Sequence, residues 1–259
     1  MAEIFMARVA DQAERYEDMV EFLKEVIDTK SEDLSIEERN LLSVGFKNFI
    51  SSSRSAYRVI GTIETNSKYK DYTEDCKAYK NKIREELEQK CMKVIEIVKT
   101  KSLPKATEKE SITFYHKMIG DYYRYIAENY GPDKDPPNLD SIGVMGKVSE
   151  YYEQEKDSEN PVLFESSKGA LEHYEKATKA AADLKPYNST KLGLALNCSV
   201  FYYEIKSDIP KACKIAEAAL EDAKKSIDNM DNEDARDSLS IVELLKENLS
   251  LWQEENVDN

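Results

Sequence analysis

Residues 40–60 read NLLSVGFKNFISSSRSAYRVI, and this stretch decides the fold. Wound as a helix at about 100° per residue, it gathers Leu42, Phe46, Phe49, Ile50, Tyr57 and Ile60 on one side. Together they make a stripe roughly 100° wide, the width a helix turns toward a core. Lys47, Arg54 and Arg58 form a second face, with no acid interleaved among them. In a chain of net charge -14 such a row repels itself unless an anion sits on it. A solvated basic face and an anion site are both compatible with the pattern.

A second piece, GDYYRYIAE at 120–128, bears on that choice. Asp121 and Arg124 are one helical turn apart, so the acid can steady the guanidinium, and Tyr125 adds a hydroxyl donor. Two arginines, a lysine and a phenol suit a phosphate dianion, because guanidinium forks hold its oxygens two at a time.

Both pieces lie in stretches that resemble the 14-3-3 family of phosphoserine/phosphothreonine-binding adaptors. The matching runs are EERNLLSVGFKN (37–48), FYHKMIGDYYRYIAE (114–128), KLGLALNCSVFYYEI (191–205) and LLKENLSLW (244–252), within a similarity reaching from about Ala10 to Trp252. The resemblance implies an all-α fold of about nine antiparallel helices in a single cup-shaped domain over 1–259, with an amphipathic groove. It also implies a dimer formed by the N-terminal helices, residues 1–30. Phosphate binding falls to Lys47, Arg54, Arg124 and Tyr125, with Arg58 and Lys117 adding positive charge. At the dimer interface it implies Val9, Ala13, Arg15, Asp18, Ala56, Tyr79, Lys82 and Glu86, with Arg15 meeting Glu86 and Asp18 meeting Lys82 of the other subunit. Read without it, these are ordinary exposed charges worth under about 1 kcal/mol per pair. Ala56 stands where many family members carry a phosphorylatable serine, so a constitutive dimer is expected. Ser240 and Ile119 replace a groove-lining leucine and a groove-side lysine, which bears on client preference.

Composition agrees with a helical chain. Gly (8) and Pro (7) are scarce, 34% of residues are charged and 41% are apolar, so long helices around a lean core are expected. The negative balance disfavours nucleic-acid backbones and anionic membranes as partners. Cys76, Cys91, Cys198 and Cys213 form no CxxC pair, and with two histidines no metal cluster or cofactor site is legible. Four free thiols, no signal peptide and no membrane-length apolar run point to the cytoplasm or nucleus. Enzymatic chemistry finds no glycine-rich phosphate loop and no nucleophile–base set. His116 and His173 lack the Glu-x-x-His spacing of helical metal sites, Thr113 and Ala170 standing three residues before them.

Along the chain, residues 3–28 read as two short helices meeting near 11–16. Ser35-x-x-Glu38 and Thr107-x-x-Glu110 both read as capping boxes that open long helices. Asp121 is expected against Arg124. Residues 131–160 hold Pro132, Pro136 and Pro137 and an acidic end. Composition reads them mostly as loop; the family normally crosses this junction with a short loop, so the resemblance implies an insertion of roughly two dozen residues or more between the fifth and sixth helices. Four more helices follow, with no repeat near 34 residues, and residues 254–259 read as a short acidic tail.

The groove needs more than phosphate donors. Leu196 and Val200 on one helix, with Ile241, Leu244 and Trp252 on the last, give apolar edges, and Glu204 ends the first of them. Asn197 and Asn248 interrupt these stripes, and an amide there requires a partner. That partner is either a neighbouring helix or the main chain of an extended peptide; the resemblance implies the latter for both. The expected function is therefore a dimeric adaptor for phosphorylated client proteins, as a homodimer or with a related chain. The rival reading is a helical scaffold for unmodified acidic or amphipathic peptides.

Overall fold

The computed structural model describes residues 2–131, 160–225 and 232–257. Those residues hold nine α-helices and no strand, as the sequence predicts. They divide into two compact units, residues 2–107 and the described residues from 108 onward.

The first unit contains α1 (Ala2–Gln12), α2 (Tyr16–Thr29), α3 (Ile36–Glu64) and α4 (Thr73–Ile97). The α3 stripe packs as expected. Leu42, Phe46, Phe49, Ile50 and Ile60 are buried, as are Met19, Val20 and Leu23 of α2 and Leu87 and Cys91 of α4, the two helices α3 packs on. Tyr57 is only half-buried, and Lys80 lies over its ring at 5.3 Å while pairing with Glu64 at 2.9 Å. Ser35 caps α3 with the predicted reciprocal bonds: its Oγ accepts from the Glu38 amide at 3.3 Å, and its amide donates to Glu38 Oε2 at 2.8 Å. The turn between α1 and α2 uses Glu14 at φ 54. Beyond Ile97 the backbone of α4 passes into a wider turn, Val98–Ser102, in which the Leu103 amide donates to the Val98 carbonyl.

The second unit contains α5 (Lys109–Glu128), α6 (Pro161–Ala180), α7 (Ser189–Glu204), α8 (Ile209–Lys224) and α9 (Asn232–Val257). The capping box expected at Thr107 does not form. The helix begins one residue later, with Glu108 at the cap position and no side-chain cap bond. Glu110 instead accepts from Asn188 Nδ2 at 3.0 Å and Thr190 Oγ1 at 3.2 Å, tying α5 to the start of α7. Helix α9 runs through Val257, so residues 254–257 of the short acidic tail are helical. Glu255 accepts from the Tyr203 hydroxyl at 2.9 Å.

Small residues set how closely α5 and α6 approach. A Cβ added at Gly120 would stand 2.9 Å from the ring of Tyr174, and one added at Gly169 would stand 3.0 Å from the ring of Tyr123. Each helix thus gives up a side chain where the other lays down an aromatic ring.

Candidate functional site

Of the α3 cations, Lys47 and Arg58 are exposed and Arg54 is half-buried, on a face that flanks the apolar stripe. Arg124, the cation of the second unit expected to bind phosphate, is built differently. Arg124 is 6% exposed, deep in the middle of a polar cluster. Its Nε donates to the Tyr174 hydroxyl at 3.2 Å, its Nη1 bonds Glu128 one turn along α5, and Glu204 of α7 lies 3.6 Å away. The guanidinium stacks over the Tyr125 ring, 4.7 Å from its centroid. Burial alone would depress its pKa, but Tyr174, Glu128, Tyr125 and Asp121 outweigh that and hold it well above the ordinary value.

Asp121 does not reach Arg124 directly, contrary to the expected pair. Tyr174 stands between them, accepting from Arg124 and donating to Asp121 Oδ1 at 2.7 Å. Burial first, then the Asp121 carboxylate, push the Tyr174 phenol well above its usual pKa, so it stays protonated and keeps both bonds. The same carboxylate accepts from Asn197 Nδ2 at 2.8 Å and from Lys117 Nζ at 2.9 Å. Asn197 therefore has a partner on a neighbouring helix, a bond that uses one of its amide hydrogens. The geometry brings Lys117, Asp121, Arg124, Tyr174, Asn197 and Glu204 into one network within the second unit. Sequence reasoning missed Tyr174 and Glu128. For Glu128 the signal was its i+4 spacing from Arg124. For Tyr174 it was the glycine inside a helix next to Asp121.

The apolar positions divide. Leu196, Val200 and Ile241 are half-buried against the core, and Leu244 is 48% exposed. A Cβ on Gly193 would lie 3.4 Å from Lys117 Cε and 4.0 Å from Ile241 Cδ1, so bare backbone separates the cation from the apolar edge. Two expectations need correction. Trp252 is a core residue, 4% exposed and stacked on Tyr203 with centroids 5.1 Å apart; it shapes α9 rather than offering a surface. Ile119 is fully buried, so it cannot act as a groove-side position. It shares the apolar side of α5 with Tyr115, Tyr122 and Ile126, which fixes its direction. Ser240 is exposed and Asn248 half-buried.

On the first unit, Phe5, Val9 and Tyr79 are large apolar groups exposed by 65%, 42% and 55%, and Ala13 is exposed. Within the chain Arg15 bonds Asp18, while Glu86 accepts from Ser53 Oγ at 2.8 Å and pairs with Lys90 at 3.2 Å. Lys82 is exposed and Ala56 half-buried. Pairs of Arg15 with Glu86 and of Asp18 with Lys82 across a dimer would exchange these internal partners.

The two histidines meet. His116 Nδ1 lies 3.0 Å from His173 Nδ1 across α5 and α6. Burial, then Lys176, lower the His116 pKa against Glu172. Burial pushes the Cys198 thiol up to about 12, which makes it a poor nucleophile. Among the described residues no group of three or more His, Cys, Asp or Glu could hold a metal, and no helix is long and apolar enough to cross a membrane.

A family model described as 14-3-3 protein matches residues 6–142 and 148–253, spanning both units. Similar proteins include 14-3-3 protein 2 of Entamoeba histolytica, 38% identical over 99% of this chain and 97% of the relative. The 14-3-3-like protein of Solanum tuberosum is 37% identical over 99% of this chain and 90% of its own length. The 14-3-3-like protein B of Glycine max is 39% identical over 96% and 92%. The family match runs through 131–142 and resumes at 148, so within 131–160 only residues 143–147 fall outside it. Residues 132–159 themselves lie outside the described residues.

Proposed function

This chain belongs to the 14-3-3 family, and on that premise we propose that it is a non-enzymatic adaptor that binds phosphoserine- or phosphothreonine-containing segments of client proteins. The observation that carries the reading is Arg124. It is an almost fully buried guanidinium, stacked on Tyr125 and fixed at Nε, with its Nη1 bonded to Glu128 and 3.6 Å from Glu204. A buried cation already matched to carboxylate oxygens is suited to exchange them for phosphate oxygens, which are stronger bidentate acceptors. Removal of the phosphate takes away about two charges and those acceptors, so binding becomes conditional on a kinase.

Lys47 and Arg54 are proposed as further phosphate-binding residues on the ground of family membership, with Arg58 and Lys117 adding positive charge. Asn197 uses one amide hydrogen on Asp121 and keeps its carbonyl oxygen and second hydrogen for a client's main chain; Asn248 is proposed for the same role. Leu196, Val200, Ile241 and Leu244 would take apolar client side chains. Family membership also supports a dimer through α1 and α2. The exposed Phe5, Val9 and Tyr79 are the kind of apolar surface such an interface covers. Two sites per dimer would bridge two phosphosites with a gain in avidity. We place this activity in the cytoplasm or nucleus.

Fluorescence anisotropy with a labelled peptide of core Arg-x-x-phosphoSer-x-Pro, phosphorylated and unphosphorylated, tests the reading. Binding of the phosphorylated form alone, lost in an Arg54→Ala/Arg124→Ala double variant, is expected. Equal binding of both forms would replace the adaptor with a scaffold for unmodified peptides.

A further inference from the structure

We infer that Tyr174 is a positioning residue for phosphate recognition, acting through Arg124. The inference rests on the phosphopeptide reading above. The Tyr174 ring sits on Gly120 and leans against Phe201, with centroids 5.6 Å apart, so packing fixes where its hydroxyl points. That hydroxyl accepts from Arg124 Nε at 3.2 Å and donates to Asp121 Oδ1 at 2.7 Å. With Nε occupied, the edge left to a dianion is the pair of terminal nitrogens. Nη1 already bonds Glu128 there, with Glu204 at 3.6 Å. A guanidinium free to turn about its last bonds could present either edge; the phenol removes that choice.

The relay has a second consequence. Asp121 holds Lys117 and Asn197 as well as Tyr174. One buried carboxylate therefore sets the phosphate-binding guanidinium, through the phenol, and directly sets an amide proposed to read client main chain. Phenylalanine at 174 would fill the same space and keep the contact with Gly120, yet would uncouple Arg124 from this hub. The hydroxyl, rather than the ring, is the functional part.

The test uses the full chain with Tyr174→Phe, Arg124→Lys and the double variant, read in two ways. In nitrogen–proton NMR spectra, the Arg124 Nε–H resonance is identified by its disappearance in Arg124→Lys. Tyr174→Phe is expected to shift it or lose it to solvent exchange. In peptide anisotropy, Tyr174→Phe is expected to weaken phosphopeptide binding about tenfold, the scale of one hydrogen bond to a charged group. In the Arg124→Lys background it should change affinity by less than about twofold, because the group it orients is gone. An unchanged resonance, or an equal loss in both backgrounds, overturns the inference. If wild type binds both peptides alike, the functional reading fails, while the resonance still decides whether Tyr174 orients Arg124. Should Tyr174→Phe not fold, Asp121→Asn, which weakens the acceptor behind the phenol, carries the same two readouts.

Discussion

Helix α3 and helix α5 each carry cations proposed to hold phosphate, and they carry them in opposite ways. On α3, Lys47 and Arg58 stand exposed and Arg54 half-buried, on a face flanking an apolar stripe. On α5, Arg124 is 6% exposed and bonded to a phenol and a carboxylate, with a second carboxylate nearby. An exposed lysine is solvated and mobile, so it contributes charge but little direction. A buried, anchored guanidinium was desolvated and oriented when the chain folded, so it contributes geometry. The difference implies that removing the α5 cation disturbs the protein itself, whereas removing the exposed Lys47 of α3 disturbs binding alone.

Arg124→Ala is the sharpest way to break that comparison. It strips the Nε donor from Tyr174 and removes the Arg124 bond from partly buried Glu128. We expect destabilisation by about 2–3 kcal/mol, read from urea unfolding, together with loss of phosphopeptide affinity by about a hundredfold. Lys47→Ala should stay within about 0.5 kcal/mol of wild type in stability, as exposed substitutions do, and weaken binding by about tenfold. Equal stability of the two variants would mean that the Arg124 network does nothing for the fold.

The two units also differ in how their glycines work. At Gly120 an added Cβ meets the flat face of Tyr174 at 2.9 Å, and the ring is held by Phe201 and its own hydroxyl bonds. At Gly45 it meets Leu23 Cδ1 at 2.6 Å and Met19 Cε at 3.2 Å, ends of side chains that can turn. Alanine is better than glycine in a helix by about 1 kcal/mol, which offsets the smaller strain but not the larger. Gly120→Ala is expected to cost about 1–2 kcal/mol and to weaken phosphopeptide binding, since it moves Tyr174. Gly45→Ala should fall within about 1 kcal/mol of wild type. Thermal unfolding and the same anisotropy assay separate them.

What the sequence made legible follows from the range of the interactions. The α3 stripe, the start of α3 and the order of the helices depend on neighbours within a turn or two, and periodicity finds them. The residues Lys117, Arg124, Asn197 and Glu204 were named in advance, but their network was not. Tyr174 lies fifty positions from Arg124 and Asn197 seventy-six from Asp121, and no local pattern joins such pairs. Ile119 shows the opposite error. Resemblance placed it on a groove side, while the periodicity of α5 already turned it toward Tyr115 and Ile126. Trp252 was assigned to the groove because it closes an apolar stripe, and a stripe does not say which of its members the core takes.

The same pattern of letters, a hydroxyl residue followed three positions later by glutamate, opens α3 and precedes α5, yet it caps only the first. Ser35 is extended, at φ -64 and ψ 166, immediately before the first helical residue, so its Oγ faces the Glu38 amide. At α5 the chain stays extended through Glu108, at φ -82 and ψ 140, and the helix starts at Lys109. Thr107 is thereby one residue too early, and Glu110, drawn off by Asn188 and Thr190, is unavailable to reach back. A tertiary contact outcompetes a local one because Glu110 can serve only one of them well. Ser35→Ala should therefore cost about 1 kcal/mol, the usual value of a lost side-chain cap. Thr107→Ala should lie within about 0.5 kcal/mol of wild type. Chemical denaturation of the two variants side by side reads the difference. If Thr107→Ala cost as much as Ser35→Ala, the Thr107 box would form in solution, and Glu110 would divide its time between capping α5 and holding α7.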